Sequence, residues 1–401
     1  MVEKILDGLR KDEFTFYYQP MVSLITGSVI GAEALIRWIK PDGSMVMPDD
    51  FIPVAEQSNL ICSITRHMFP KLVKDLLVLL DVDEHLKLSF NASAKDFMDD
   101  HFTRMVLQHH AQANLPERSL QLELTETATL EAGEPVHTHL LSLHENGIPL
   151  AMDDFGTGYS SLDVLSKWPF TTIKLDRGII GRMQESEKNS TIVESAVRMA
   201  HELNINVVAE GVESKEQYKH LLQSGCTKVQ GFWIGKPMPL DQFISFVRQD
   251  MRWSGLPIGL IHMAIIDHVQ WRKQLVSEVT RLAMLSRDAA NRRCLNSPPI
   301  SVHECKLGKW YHGAGRIFSE RPSFRALDVP HHAFHEVGWR LMEMVAGGAV
   351  LDELTPHLRE LSDHSMQVMN CLQSLENEGL VDMHQAHSEW SGLEPGPVLA
   401  G

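Results

Sequence analysis

The chain has 401 residues, enough for about two or three domains that each bury a core. Hydrophobic residues make up 43% and charged residues 22%, the balance of an ordinary globular protein. A net charge of −15 excludes wrapping of duplex nucleic acid, where Lys and Arg must dominate, but not a small phosphate ligand held through bridging metals. The five cysteines (Cys62, Cys226, Cys294, Cys305, Cys371) are odd in number and scattered, so no disulfide framework is expected. The first residues lack a signal peptide's apolar core, and no run approaches the ~18 apolar residues of a spanning helix. The expected setting is the reducing cytoplasm, without membrane contact.

The first 240 residues alternate short β-rich runs with longer helical patterns. The runs fall at 16–19, 31–38, 87–91, 120–126, 149–154, 172–176, 206–210 and 228–232. Alternation of this kind predicts parallel βα units, and eight of them fit a closed (β/α)8 barrel of the TIM type, ~250 residues long. An open doubly wound sheet is the rival, but it would carry an early Gly-rich phosphate loop, and none is visible. After residue 240 the pattern changes. Residues 241–252 read as a closing helix and 253–257 as a break. Helical periods with His-rich faces then continue to about 377, as in a small four-helix bundle. The expected domains are therefore 1–247 and 259–378, joined by a linker at 248–258. Residues 379–401, rich in Gly, Pro and His, are expected to be a disordered tail.

The polar ends of the runs carry the chemistry. Glu33 lies in the second, Asn91 ends the third, and Glu123 and Glu126 close the fourth. Asp153 and Asp154 end the fifth, Lys174 and Asp176 the sixth, Glu210 the seventh, and Gln230 sits in the eighth. In a (β/α)8 barrel the strand C-termini open onto one face, which carries the active site. A lone Asp-Asp pair before Gly156 would read as an acidic turn, and any single strand-end acid as a cap. Seven strand ends that offer metal-ligand types or a Lys form an acidic bowl instead. Packed carboxylates repel one another, and their pKa values rise unless cations neutralise them, so the array implies bound metal. Hard oxygen ligands favour magnesium or manganese over zinc.

These residues resemble the EAL-domain cyclic-di-GMP phosphodiesterases. The signature stands as Glu33-Ala34-Leu35, followed in order by Asn91, Leu122-Glu123-Leu124-Thr125-Glu126, Asp153-Asp154-Phe155-Gly156, Ile173-Lys174-Leu175-Asp176, Glu210-Gly211-Val212-Glu213 and Gln230-Gly231-Phe232. The family's usual Asn-Leu-Ser is Asn91-Ala92-Ser93 here. The resemblance implies hydrolysis of one 3′-5′ bond of cyclic di-GMP to linear pGpG with two Mg²⁺ or Mn²⁺ ions. It implies Glu33, Asn91, Glu123 and Asp153 as ligands of one ion, and Asp153, Asp154 and Glu210 as ligands of the second. Lys174 would act as, or assist, the general base, with its pKa depressed among cations. Gln230 supports the site, Gln19 and Arg37 contact substrate, and Glu126, Asp176 and Glu213 support the loops, notably 155–161.

A second metal vocabulary lies farther on: His268, Cys305 before Lys306-Leu307-Gly308-Lys309-Trp310, and His331 and His335 one helical turn apart. Three imidazoles and a thiolate suit tetrahedral Zn²⁺, although a His-rich solvent face reads equally well from composition. The segment 260–375 resembles the chemoreceptor zinc-binding (CZB) domain, which implies one zinc per domain held by those four residues. It also implies sensing of zinc or of oxidation at the zinc-bound thiolate. The long His268–Cys305 separation suggests an insertion near 295–301 and leaves His262, His303, His312 and His332 as competing ligands. The resemblance implies a phosphodiesterase tuned by a zinc or redox sensor. The alternative is a catalytically silent cyclic-di-GMP receptor coupled to that sensor. Both families commonly self-associate, so a homodimer is expected.

Overall fold

A computed structural model describes residues 1–130, 133–156, 161–203, 205–253, 258–284 and 301–390. The chain divides after Gly255 into two compact units. The first is built on β1 (Phe14–Ser23), β2 (Val29–Ile39), β3 (Met45–Val46), β4 (Lys87–Asn91) and β5 (Leu120–Thr125). It continues with β6 (Leu150–Phe155), β7 (Thr172–Leu175), β8 (Asn206–Ala209) and β9 (Lys228–Gln230). The strand order β1-β9-β8-β7-β6-β5-β4-β2-β3 is closed by pairing of β1 with β2, so every strand but the two-residue β3 belongs to one ring. From β2 through β4 to β9 the neighbours are parallel. The runs read from sequence supply all eight ring strands.

One strand runs against the expected (β/α)8 pattern. β1 is antiparallel to both β2 and β9. The strands extend further than the apolar runs suggest, leaving only residues 24–28 between β1 and β2. That is enough for a hairpin but far short of the dozen or so residues a parallel crossover needs. The hairpin then meets β4 closely. Gly31 lies opposite Lys87, and a Cβ there would stand 2.1 Å from the Lys87 carbonyl oxygen.

Apolar residues of the parallel strands fill the ring, and amphipathic helices cover it. Helix Ile61–Leu80 shows the principle: Ile61, Ile64, Met68, Leu72, Val73 and Leu76 recur at helical spacing and are buried on one face. The order leaves the strand ends as the place where polar side chains gather.

The second unit is helical. Its long helices are Ile258–Ala283, Asp328–Ala346 and Leu351–Trp390, with short turns at Lys306–His312, Ala314–Phe318 and Pro322–Ala326. Trp271, Leu275, Phe334, Leu341, Leu361 and Leu372 are part of its core. The last helix runs 40 residues, continuing through Gly379 into residues expected to form a tail. A helical Gly costs only about 1 kcal/mol, and residues 380–390 contain neither Gly nor Pro to stop it. The expected insertion at 295–301 falls mostly, and the end of the tail wholly, outside the described residues. No described helix is long and apolar enough to cross a membrane.

Candidate functional site

Each strand of the ring contributes one polar side chain at the same end of the barrel. These are Gln19 from β1, Glu33 from β2, Asn91 from β4, Glu123 from β5, Asp153 from β6, Lys174 from β7, Glu210 just after β8 and Gln230 from β9. The centre is the Lys174 ammonium, which is fully buried. Its Nζ lies 2.5 Å from Glu123 Oε2, 2.6 Å from Glu210 Oε1, and 3.3 Å from both Glu33 Oε2 and Asp153 Oδ1. Asn91 Nδ2 donates to Glu33 Oε1 at 2.6 Å, and Gln230 Nε2 donates to Glu33 Oε2 at 2.7 Å and to Gln19 Oε1 at 3.1 Å. One oxygen from each of Glu33, Glu123 and Asp153 lies within 4.8 Å of the others.

The adjacent acids Asp153 and Asp154 escape strand alternation because the β6–β7 register shifts between Met152 and Phe155. Asp154 adopts φ 56°, a left-handed conformation that Asp tolerates better than most residues, and its N–H donates to Asp153 Oδ1 at 2.9 Å. The bend that both acids require is built at the pair itself. Asp154 lies outside the three-carboxylate group but feels Asp153, Asp176, Lys174 and Glu33 electrostatically.

Charge decides the state of this cluster. Burial pushes Glu123 up to about 7, and burial with neighbouring acids drives Glu210 well above the usual carboxylate range. Burial acts against ionised Glu33 too, but Lys174 and the amides of Asn91 and Gln230 outweigh it and hold that carboxyl low. Desolvation alone would lower Lys174; the four carboxylates raise it well above its ordinary value. The carboxylates alone therefore hold Lys174 protonated; the expected depression belongs to a lysine with cations beside it. Four carboxylates against one ammonium remain short of positive charge, and all the donors are hard oxygens. The residues fit one or more hard divalent cations.

The other expected contributors take secondary positions. Arg37 is buried, donates to the Ile36 carbonyl at 2.9 Å and lies over the Tyr17 ring. Gln19 Nε2 also reaches the Gly235 carbonyl at 3.4 Å. Glu126 accepts from Gly156 N–H at 3.3 Å, tying down the start of the 155–161 loop, whose residues 157–160 lie outside the described residues. Asp176 accepts from Gly178 N–H at 2.9 Å and caps helix Arg177–Arg182, while Glu213 is fixed through its own N–H to Gln217 Oε1 at 2.7 Å. Gln121 and Thr172 are additions the motif reading lacks. Gln121 Nε2 donates to Glu123 Oε1 and Thr172 Oγ1 to Gln121 Oε1, both at 3.4 Å. Strand alternation places Gln121 on the face of Glu123 two residues on, which is a usable signal.

In the helical unit Cys305, His331 and His335 come together, each buried, with one donor atom apiece within 4.8 Å of the others. Cys305 caps helix Lys306–His312: Gly308 N–H donates to its Sγ at 3.1 Å. A Cβ on Gly308 would stand 1.8 Å from the Val302 carbonyl oxygen, so this turn demands glycine. Cys305 Sγ lies 3.4 Å from His331 Nε2. His268 is outside this triad, and its Nε2 pairs with Ser365 Oγ at 2.9 Å. Burial pushes His268 and His331 down to about 3 and raises the Cys305 thiol. His331 and the thiol are thus held neutral, and the sulfur and two nitrogens of the cluster fit zinc once the thiol loses its proton. His262, His303, His312 and His332 stay exposed and outside it.

The EAL domain family matches residues 2–237 and the chemoreceptor zinc-binding domain family matches residues 268–342. The chain is 35% identical over 245 residues to the cyclic di-GMP phosphodiesterase RocR of Pseudomonas aeruginosa, covering 61% of this chain and 62% of RocR. It is 34% identical over 241 residues to the signaling protein YkoW of Bacillus subtilis, covering 60% of this chain but only 30% of YkoW. The solved PaMucR phosphodiesterase in complex with c-di-GMP superposes with a TM-score of 0.57 at 32% identity, over 60% of this chain and 98% of that one. More than half of the chain thus answers to a single family description, and the protein belongs to the EAL domain family, with a chemoreceptor zinc-binding domain following the barrel.

Proposed function

We propose that the protein hydrolyses cyclic di-GMP to linear pGpG and that its helical unit, loaded with zinc, sets the rate. The observation that carries the reading is the four-carboxylate shell around Lys174, drawn from β2, β5, β6 and the end of β8 and short of positive charge. Glu33, Asn91, Glu123 and Asp153 hold one divalent cation, Mg²⁺ or Mn²⁺, and Asp153, Asp154 and Glu210 hold a second. Bound there, such cations supply Lewis-acid polarisation of a phosphoryl oxygen and an acidified water. Asn91 and Gln230 keep Glu33 ionised and aimed inward. Gln19 and Arg37 orient the nucleotide. Lys174 works as a proton acceptor only when positive charge is added beside it, because the carboxylates alone keep it protonated. One zinc per helical unit, held by Cys305, His331 and His335 with His268 as the fourth ligand, a homodimeric assembly and a cytoplasmic setting complete the proposal.

Purified full-length protein incubated with cyclic di-GMP and Mg²⁺ or Mn²⁺, followed by nucleotide separation, tests the reading. It predicts accumulation of pGpG. Tight nucleotide binding without product would make the barrel a receptor instead.

A further inference from the structure

Two of the exposed histidines form a pair of their own. His303 Nδ1 and His312 Nε2 lie 2.9 Å apart, with ring centroids 4.6 Å apart. Both side chains are exposed, and among the described residues neither is paired with a carboxylate. Their backbone is well fixed. His303 N–H donates to Ser301 Oγ at 3.3 Å, and the next two N–H groups reach the Ser301 carbonyl at 3.1 and 3.2 Å. This turn is pressed against helix Lys306–His312 at Gly308, and His312 ends that helix with its ring edge-on to Tyr311.

We propose that His303 and His312 are a second metal site, open to solvent, for a borderline divalent cation such as zinc or nickel. Imidazole nitrogens bind such a cation at about 2.0–2.1 Å, which sets two of them roughly 3 Å apart. The observed separation needs only a small opening, and a cation would take the place of the hydrogen between the two nitrogens, the donor ring moving that proton to its other ring nitrogen. Water fills the remaining coordination positions, and no thiolate takes part. The site therefore binds more weakly than the buried Cys305–His331–His335 group, and it holds its cation on the solvent side of the turn that carries Cys305.

The test is zinc uptake by the full-length protein under excess magnesium, which occupies the oxygen sites, with no nucleotide present. Equilibrium dialysis against buffered zinc, first nanomolar and then micromolar, is followed by elemental analysis. The double variant His303→Ala with His312→Ala is expected to lose about one equivalent of micromolar uptake while retaining nanomolar uptake. The polar double variant His303→Asn with His312→Asn should do the same, separating ligand loss from misfolding. Cys305→Ser should keep the micromolar uptake, so an error in the buried zinc assignment shows separately, as unchanged nanomolar uptake in that variant. If both double variants take up as much zinc as the parent at both levels, the pair only shares a proton and the proposal is overturned.

Discussion

The barrel cluster and the helical cluster are both buried groups of metal-ligand side chains, and desolvation acts on each, yet the outcomes are opposite. Imidazoles and a thiol can shed their charge, so burial pushes His268 and His331 down to about 3 and raises Cys305, leaving these three groups neutral. Four carboxylates cannot all do so. Glu33 stays ionised while Glu123 and Glu210 are driven up, and the remaining negative charge closes on the Lys174 ammonium. The difference is one of cation chemistry. The oxygen shell is short of positive charge and suits hard ions, whereas the sulfur–nitrogen group would take zinc by releasing the thiol proton.

The largest expected effect comes from changing Glu33, the carboxylate that both Asn91 and Gln230 hold. Glu33→Gln should lower turnover of cyclic di-GMP by at least about a hundredfold, measured as initial pGpG formation, with the fold intact by circular dichroism. Turnover equal to the parent's would place the chemistry elsewhere.

Next is the ammonium itself. Lys174→Met leaves four buried carboxylates facing one another and should cost the metal-free protein about 3–5 kcal/mol in denaturant unfolding. Added Mg²⁺ or Mn²⁺ should restore much of that loss, and no rescue would mean that cations do not substitute for the ammonium.

A smaller and differently placed effect is expected from Cys305→Ser. Tight zinc content should fall by at least about tenfold, while turnover in zinc-free, magnesium-containing buffer stays within about twofold of the parent. Unchanged zinc content would remove Cys305 from the ligand set.

The mildest test uses Lys228, a half-buried lysine whose pKa is shifted by burial rather than by carboxylates. Burial, then Lys87, lowers Lys228 to about 8. A depressed lysine binds fewer protons folded than unfolded. Its favourable contribution is complete above the unfolded value of 10.5 and is lost as pH falls through about 8. Lys228→Met should therefore raise the melting temperature at pH 7 by about 2–4 °C, with the gain shrinking as pH rises between those values. A drop at pH 7 would show that burial is not the controlling cost.

The ring strands were legible because each is a short β-rich run that carries a polar residue, most often at its end, and the order of those residues pointed to one face of the barrel. The direction of β1 was not. Pairing lengthens both strands beyond the runs 16–19 and 31–38, and only the closed sheet leaves too few residues between them for a crossover. The sign of the shift on Lys174 depends on which charges surround it, and the carboxylates that raise it come from strand ends far apart in sequence. Gln121 could have been found by counting two residues back from Glu123. Ser365 could not. It is one serine on a long helix until packing sets it against His268. The Asp153-Asp154 pair posed a puzzle of alternation that the sequence could state but only the register shift at Met152 resolves.

An acidic shell around Lys174 that acts on a phosphodiester should depend on added cations. This is measured as pGpG production from cyclic di-GMP by chelator-stripped full-length protein as Mn²⁺ is added back. The expected result is no product without metal, a saturating rise with Mn²⁺, and none at any concentration for Glu33→Gln. Product formed equally with and without metal, or none at saturating Mn²⁺, would contradict it.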